Sequence, residues 1–347
     1  MHKLDIIRLA LVAASGFALE AAAQGPTATI QNGQLTATIA LPDAQNGYYR
    51  GTRFDWSGVV SSLKYKGHEY ITPWSQINDP AVGDYEYRGD KIATGTSTTM
   101  VGFPEEFASM PERTAFGWEA AKPGETFVKI GVGILRKPDE KPYDHVRTYE
   151  IVQGNKWDVE KTATSVTFKQ NINDPGSGYG YVYTKKVTLI PGKSELTMAH
   201  TLRNTGRKPI TGFVYDHNFT RWDNETPGPD YSMHFAFDPR PADPVGNAPI
   251  AYNDRTVNFT RKLTGKDAIR TLPVGFSDQP KDYDFRFENT KLGIGLRVTA
   301  DRPLYRAVIW GIRSVFAIEP FITYDIQPGQ EFTWTYTYQA YELPGTK

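Results

Sequence analysis

The sequence predicts an all-β fold, a large antiparallel two-sheet β-sandwich, and three observations carry that expectation. Short apolar runs alternate with polar residues along nearly the whole chain and are separated by Gly, Pro, Asn or Asp. Past the first 25 or so residues, no segment sustains the 3.6-residue apolar period of a helix. The composition agrees: 20 Tyr and 18 Phe suit pleated, half-buried strands, while 31 Gly and 24 Pro punctuate turns.

Taken in order, the alternating runs are 34–41, 59–65, 127–135, 165–171, 180–189, 195–204, 210–219, 231–237, 256–263, 283–287, 293–300, 305–312 and 332–341. The segment 104–121 is mixed and reads as a short helix or a loop at a site. No Gly/Ser linker or charge block divides the chain, so residues 24–347 read as one domain. Residues 1–23 read as a secretory signal peptide. Lys3 and Arg8 precede the apolar stretch Leu9–Leu19, and Ala21-Ala22-Ala23 offers small residues for cleavage before Gln24. An amphipathic N-terminal helix is the competing reading. Export predicts a periplasmic or secreted protein, with no membrane insertion once the leader is removed.

The bulk numbers exclude several function classes. With 39 Lys+Arg against 39 Asp+Glu, no charge excess favours nucleic acid as a partner. The absence of cysteine excludes thiol chemistry, zinc–thiolate sites and Fe–S clusters. A 347-residue chain buries a large core without disulfides. There is no G-x-S-x-G elbow, P-loop, dinucleotide fingerprint or H-E-x-x-H.

Four segments could carry chemistry. In Tyr215-Asp216-His217-Asn218-Phe219, alternation puts Tyr215, His217 and Phe219 on one strand face. A histidine between aromatics is either a proton donor/acceptor or a core residue bonded to backbone. In Phe316–Phe321, Glu319 is a lone carboxylate in an apolar strand. It is a base with a raised pKa, a strand-end residue reaching solvent, or a carboxylate paired with an arginine such as Arg313. In Tyr48–Gly58, Arg50 and Arg53 could bind hydroxyls or carboxylates and Trp56 could stack on a ring, or the arginines form salt bridges with Asp55, Glu69 or Asp43. Glu105 and Glu106, followed by Arg113, Trp118 and Lys129, bind a cation or a sugar, or are simply solvated. The stripe Tyr179, Tyr181, Tyr183 and Lys185 lines a groove or packs the sandwich.

The order of these segments resembles the galactose mutarotase-like superfamily, whose best-known members are aldose 1-epimerases. YYRGTRFDWSGVVSSLKYKGHEY is similar to that family's first hairpin, and NTGRKPITGFVYDHNF to the segment carrying its catalytic histidine. KDYDFRF resembles its tyrosine–aspartate sugar contact, and LRVTADRPLYRAVIWGIRSVFAIEPF the segment carrying its catalytic glutamate. The resemblance implies a supersandwich with His217 and Glu319 as the catalytic pair. Arg50, Arg53, Glu106, Trp118, Lys129, Tyr215, Asp284 and Trp310 would contact the sugar. It implies anomer interconversion of a free sugar or sugar acid by acid–base ring opening, with no metal or organic cofactor. Glu319 would act on the anomeric hydroxyl and His217 on the ring oxygen, from opposite sides of the ring. The partner would be a small sugar or oligosaccharide, and the protein a monomer or homodimer. The family's additional histidine, in a loop ahead of a tryptophan, has no counterpart in 102–118, where Glu105, Glu106 or Arg113 would substitute. A polysaccharide lyase and a non-catalytic carbohydrate-binding protein are the alternatives on the same fold.

Overall fold

The computed structural model describes residues 25–154 and 156–345, so the expected leader lies outside the described residues. Two antiparallel sheets dominate. The larger has ten strands in the order Asp158–Lys161, Ser165–Asn173, Gly180–Leu189, Glu195–Asn204, Glu331–Glu342, Ile294–Ala300, Asp284–Asn289, Tyr231–Phe235, Thr256–Phe259 and Ile250–Asn253. The second has five: Ala268–Thr271, Arg306–Ile312, Val315–Ile326, Ile210–Asp216 and Glu105–Ser109. Smaller sheets, including the four strands Thr27–Gln31, Leu35–Ala40, Val59–Tyr65 and His68–Glu69, flank them. Among the described residues the only helical piece is the 3-10 turn Pro280–Asp282.

The two large sheets pack face to face through aromatic side chains. Phe107 meets Tyr183 at 5.5 Å and Trp334 at 6.0 Å between ring centroids. Phe316 meets Tyr231 at 5.1 Å and Phe287 at 5.9 Å across the same layer. Tyr181, Tyr183 and Lys185 all point into this layer and are buried. The tyrosine stripe is therefore packing rather than a groove.

Period-two alternation in the five-stranded sheet sorts its residues cleanly. Phe107, Val214, Ile318, Ile309 and Ile269 face the core and are buried. Their neighbours, one residue along, face away from the larger sheet and form the floor of a cavity. The register aligns Glu106 with Tyr215, Tyr215 with Phe321, Glu319 with Val308, and Trp310 with Arg270. Three boundaries differ from expectation. The 104–121 segment contributes the strand Glu105–Ser109, not a helix. The expected single strand over 127–135 is a hairpin, Thr126–Lys129 and Gly133–Arg136, because Gly131 and Gly133 adopt positive φ. The histidine strand ends at Asp216, so His217 lies just past its end.

Pro320 sits inside the central strand Val315–Ile326, where a missing N–H would normally break the ladder. The tolerance has a geometric reason. The Phe321 carbonyl accepts from Tyr305 N, so Pro320 turns its backbone the opposite way, towards the histidine strand. Pairing with that strand stops at Tyr215 and Phe321. Beyond that point the Asn218 side chain takes over, donating to the Ile318 carbonyl at 3.1 Å.

Candidate functional site

The cavity over the five-stranded sheet has a volume of about 350 Å³. Its floor is Glu106, Phe213, Tyr215, His217, Val308, Trp310, Glu319 and Phe321. Its walls come from loops that bring Arg53, Trp74, Asp84, Thr98 and His145 over the sheet, and from Arg113, Arg270 and Arg306, of which the first two lie close enough to Arg306 to act on its charge.

His217 and Glu319 meet at its base, with Nε2 and Oε1 3.2 Å apart. His217 N–H donates to the Pro104 carbonyl at 2.8 Å, which fixes the residue past the strand end. Its ring stacks on Phe219 at 3.8 Å and has the edge of Trp310 at 5.7 Å. Nδ1 is buried without a partner among the described residues. Burial first, and then the Arg53 charge, push the imidazole well below its usual pKa. Glu319 is pushed up to about 7, chiefly by burial; Arg53 and Arg270 oppose this and Glu106 adds to it. Near neutral pH, then, the contact is a neutral imidazole facing a half-protonated carboxyl rather than a fixed ion pair. Arg313 is not the partner of Glu319; it donates to the Gly89 carbonyl at 2.7 Å.

Glu106 anchors the adjoining polar corner. Its Oε2 accepts from Arg53 Nε at 2.8 Å and from the Tyr215 hydroxyl at 2.6 Å, and its Oε1 from Lys129 Nζ at 3.2 Å. Arg53 Nη2 also donates to the Tyr215 hydroxyl at 2.9 Å. Burial alone would raise Glu106, but Lys129 and then Arg53 outweigh it and hold the carboxylate well below its usual range. It is a fixed anion that orients Arg53 and Tyr215.

Its neighbour Glu105 points the other way, into the core. Lys185 Nζ lies 2.6 Å from Glu105 Oε2 and 2.7 Å from Asp55 Oδ2, and His200 Nε2 lies 2.8 Å from Glu105 Oε2. Burial opposes ionisation here too, but His200 and Lys185 hold Glu105 down at about 2. Both adjacent carboxylates are therefore matched by protein cations, and neither is solvated. Asp216, one residue from His217 and on the core face, accepts a hydrogen bond from the Tyr338 hydroxyl and is pushed up to about 8 by burial.

Of the residues expected at the site, Arg53, Glu106, Tyr215, His217, Trp310 and Glu319 come together in the cavity. Lys129 stands behind it and reaches it only through Glu106. Three expectations are corrected. Arg50 is exposed, donates to the Gln45 carbonyl at 2.7 Å and borders a different cavity. Trp118 is buried in an aromatic cluster with Phe127, Tyr143 and Tyr149. Asp284 lies on the ten-stranded sheet, bonded by the Arg297 fork at 2.8 and 2.6 Å, so its charge is matched there. A fourth correction concerns geometry: His217 and Glu319 share the floor rather than flanking a ring from opposite sides. Sequence reasoning missed Trp74, Asp84, His145, Arg270 and Arg306. Arg306 carried a signal, since it alternates with Val308 and Trp310. His145 and Asp84 are loop residues with no pattern to read.

No family model matches the chain, and no curated protein is significantly similar to it in sequence. Solved structures are similar in shape. A galactose mutarotase-like protein from Lactobacillus casei superposes with a TM-score of 0.53 at 15% identity, covering 91% of this chain and 100% of its own. An aldose epimerase homologue from C. elegans gives 0.54 at 14% identity, covering 92% and 99%. The chain has the galactose mutarotase-like fold. A further galactose mutarotase-like protein, from Clostridium acetobutylicum, gives 0.53 at 12% identity over 91% and 95% of the two chains. At such identities the likeness establishes the galactose mutarotase-like fold and leaves the chemistry to be argued from the cavity.

Proposed function

We propose that the protein is an aldose 1-epimerase-like isomerase that interconverts the anomers of a free sugar or sugar acid by acid–base ring opening. The observation that carries this reading is the 3.2 Å contact between His217 and Glu319 on the floor of a cavity the size of a monosaccharide site. Mutarotation needs one group to take the proton of the anomeric hydroxyl and another to give one to the ring oxygen. Both oxygens are attached to the same carbon, so an acid and a base one hydrogen bond apart match them. Burial places the pair's proton on Glu319. Transfer to His217 across the contact leaves a carboxylate to accept the anomeric proton and an imidazolium to donate to the ring oxygen. The C1–C2 bond then rotates and the ring closes on the other face. Trp310 offers a flat surface to the sugar C–H groups, and Arg53 donors to its hydroxyls. His145, at the cavity wall, is a further polar contact.

Of the two bases a lyase could use here, His217 and Tyr215, the tyrosine is unsuited. A lyase base must accept a proton, but this hydroxyl donates to Glu106, and burial holds its pKa well above the usual value. The leader and the sugar reading together favour export, with the reaction outside the cytoplasm.

Anomeric exchange followed by NMR on freshly dissolved sugars and sugar acids tests the proposal. The wild type is expected to accelerate exchange for at least one of them, and Glu319→Gln to lose on the order of 100-fold or more of that acceleration. Exchange rates unchanged by the wild type for every sugar would reject the isomerase in favour of a binding protein.

A further inference from the structure

Three cavity-lining arginines are left over from the arrangement just described: Arg113, Arg270 and Arg306. They reach the cavity from separate parts of the chain. Arg113 comes from the turn after the Glu106 strand, Arg270 from the edge strand Ala268–Thr271, and Arg306 from the start of Arg306–Ile312. Among the described residues none of the three forms an ion pair, whereas Arg53 and Lys129 are both engaged by Glu106. The acidic groups lining the same cavity do not neutralise them. Glu106 is matched by Arg53 and Lys129, Asp84 lies 3.8 Å from Arg53, and Glu319 is only half ionised near neutral pH.

Two members are held at a cost, Arg306 through its side chain and Arg113 through its backbone. Among the described residues Arg306 Nε is buried with no hydrogen-bond partner, and its guanidinium lies 5.4 Å from the Phe321 ring centroid. Burial, with the like charges of Arg113 and Arg270, pushes Arg306 below the usual arginine range, although an arginine stays charged there. Arg113 occupies the left-handed region, at φ 63°, closing a turn in which its N–H donates to the Ser109 carbonyl at 3.1 Å. Glycine would take that conformation without strain, and an arginine does not. Arg113 and Arg270 are exposed and Arg306 is half-buried, and three neighbouring guanidinium groups lining one cavity match a group with several anionic oxygens.

We propose that Arg113, Arg270 and Arg306 form a subsite for the anionic group of an acidic sugar, a carboxylate or a phosphate, held in the cavity while the ring lies over His217 and Glu319. The inference rests on reading the cavity as a sugar site, and it names the substrate class. The anion completes the hydrogen bonding of Arg306 and screens the three like charges from one another. It also fixes which end of the ring faces the acid–base pair.

Titration calorimetry with D-glucuronate, D-glucose 6-phosphate and D-glucose tests it. At least one anionic sugar is expected to bind about tenfold or more tightly than glucose, and its rank against the other names carboxylate or phosphate as the source. Arg306→Gln and Arg113→Gly are each expected to reduce that preference by about tenfold. Arg113→Gly removes the guanidinium while relieving the backbone, so loss of fold does not confound it. Equal affinity for the three sugars, no binding of either anionic sugar, or a preference indifferent to both substitutions overturns the subsite. Turnover is scored separately. A protein that binds glucuronate in an arginine-dependent way without exchanging its anomers keeps the subsite and loses the isomerase reading. One that exchanges glucose anomers and shows no preference for anionic sugars does the reverse.

Discussion

Glu319 has its ionisation set against folding. Its carboxyl is pushed from an ordinary 4.5 up to about 7, chiefly by burial. Between those values the folded chain keeps a proton that the unfolded chain gives up. The contribution of this group to stability is therefore full below about pH 4.5 and is lost as pH rises through about 7, by up to about 3 kcal/mol. Glu319→Gln has no such loss. Its stability relative to wild type is expected to rise between pH 5 and pH 8, read from urea midpoints; a difference that stays flat with pH would show that burial does not govern this carboxyl. Asp216, pushed up to about 8, contributes a loss of the same sign. The same titration limits the proposed reaction. Above about pH 7 the His217–Glu319 pair loses the single proton it shares, so the exchange rate is expected to fall on the alkaline side, and a rate rising steadily through pH 9 would reject the one-proton pair.

At the scale of strands, buried charges join the site to the core. Lys185 is nearly fully buried, and it faces both Asp55 and Glu105. Lys185→Met keeps the volume and removes the cation, leaving two buried carboxylates with only His200 and neutral donors. A loss of about 3–5 kcal/mol is expected by denaturant unfolding, and a loss below 1 kcal/mol would mean that the carboxylates protonate at little cost. Much at this scale was legible in the sequence. The runs 59–65, 180–189 and 195–204 were expected with the bounds they have, because each is rich in strand-forming residues and 195–204 alternates throughout, with Gly67, Pro191 and Gly206 marking the turns that follow. His217, Glu319 and Tyr215 were legible because a polar residue on an apolar strand needs a reason. Asp284 and Trp118 misled, since an acid or an indole looks the same in sequence whether it meets a sugar, Arg297 or three aromatic rings. Arg270 and His145 were invisible, because only the closing of the sheet and its loops brings them to the cavity.

Over the whole molecule, the described fold begins with the strand Thr27–Gln31. Export therefore implies cleavage ahead of the first strand. Intact-mass analysis of protein recovered from outside the cytoplasm is expected to show a chain starting at Gln24, and a chain recovered inside the cell with Met1 in place would refute export. The pair Glu105–Glu106 has a wider consequence. On one short strand, consecutive carboxylates serve opposite faces, one bonded to Lys185 in the core and one to Arg53 in the cavity. Inserting or deleting a single residue there would exchange the two faces, putting Phe107 in the cavity and a charge among aromatics. The floor is thus closed to gradual change in strand length. The loops that carry Asp84, Thr98, Arg113 and His145 have no such constraint. Divergence of this lineage towards new substrates is then expected to be written in those loops, while the sheet beneath them stays in register.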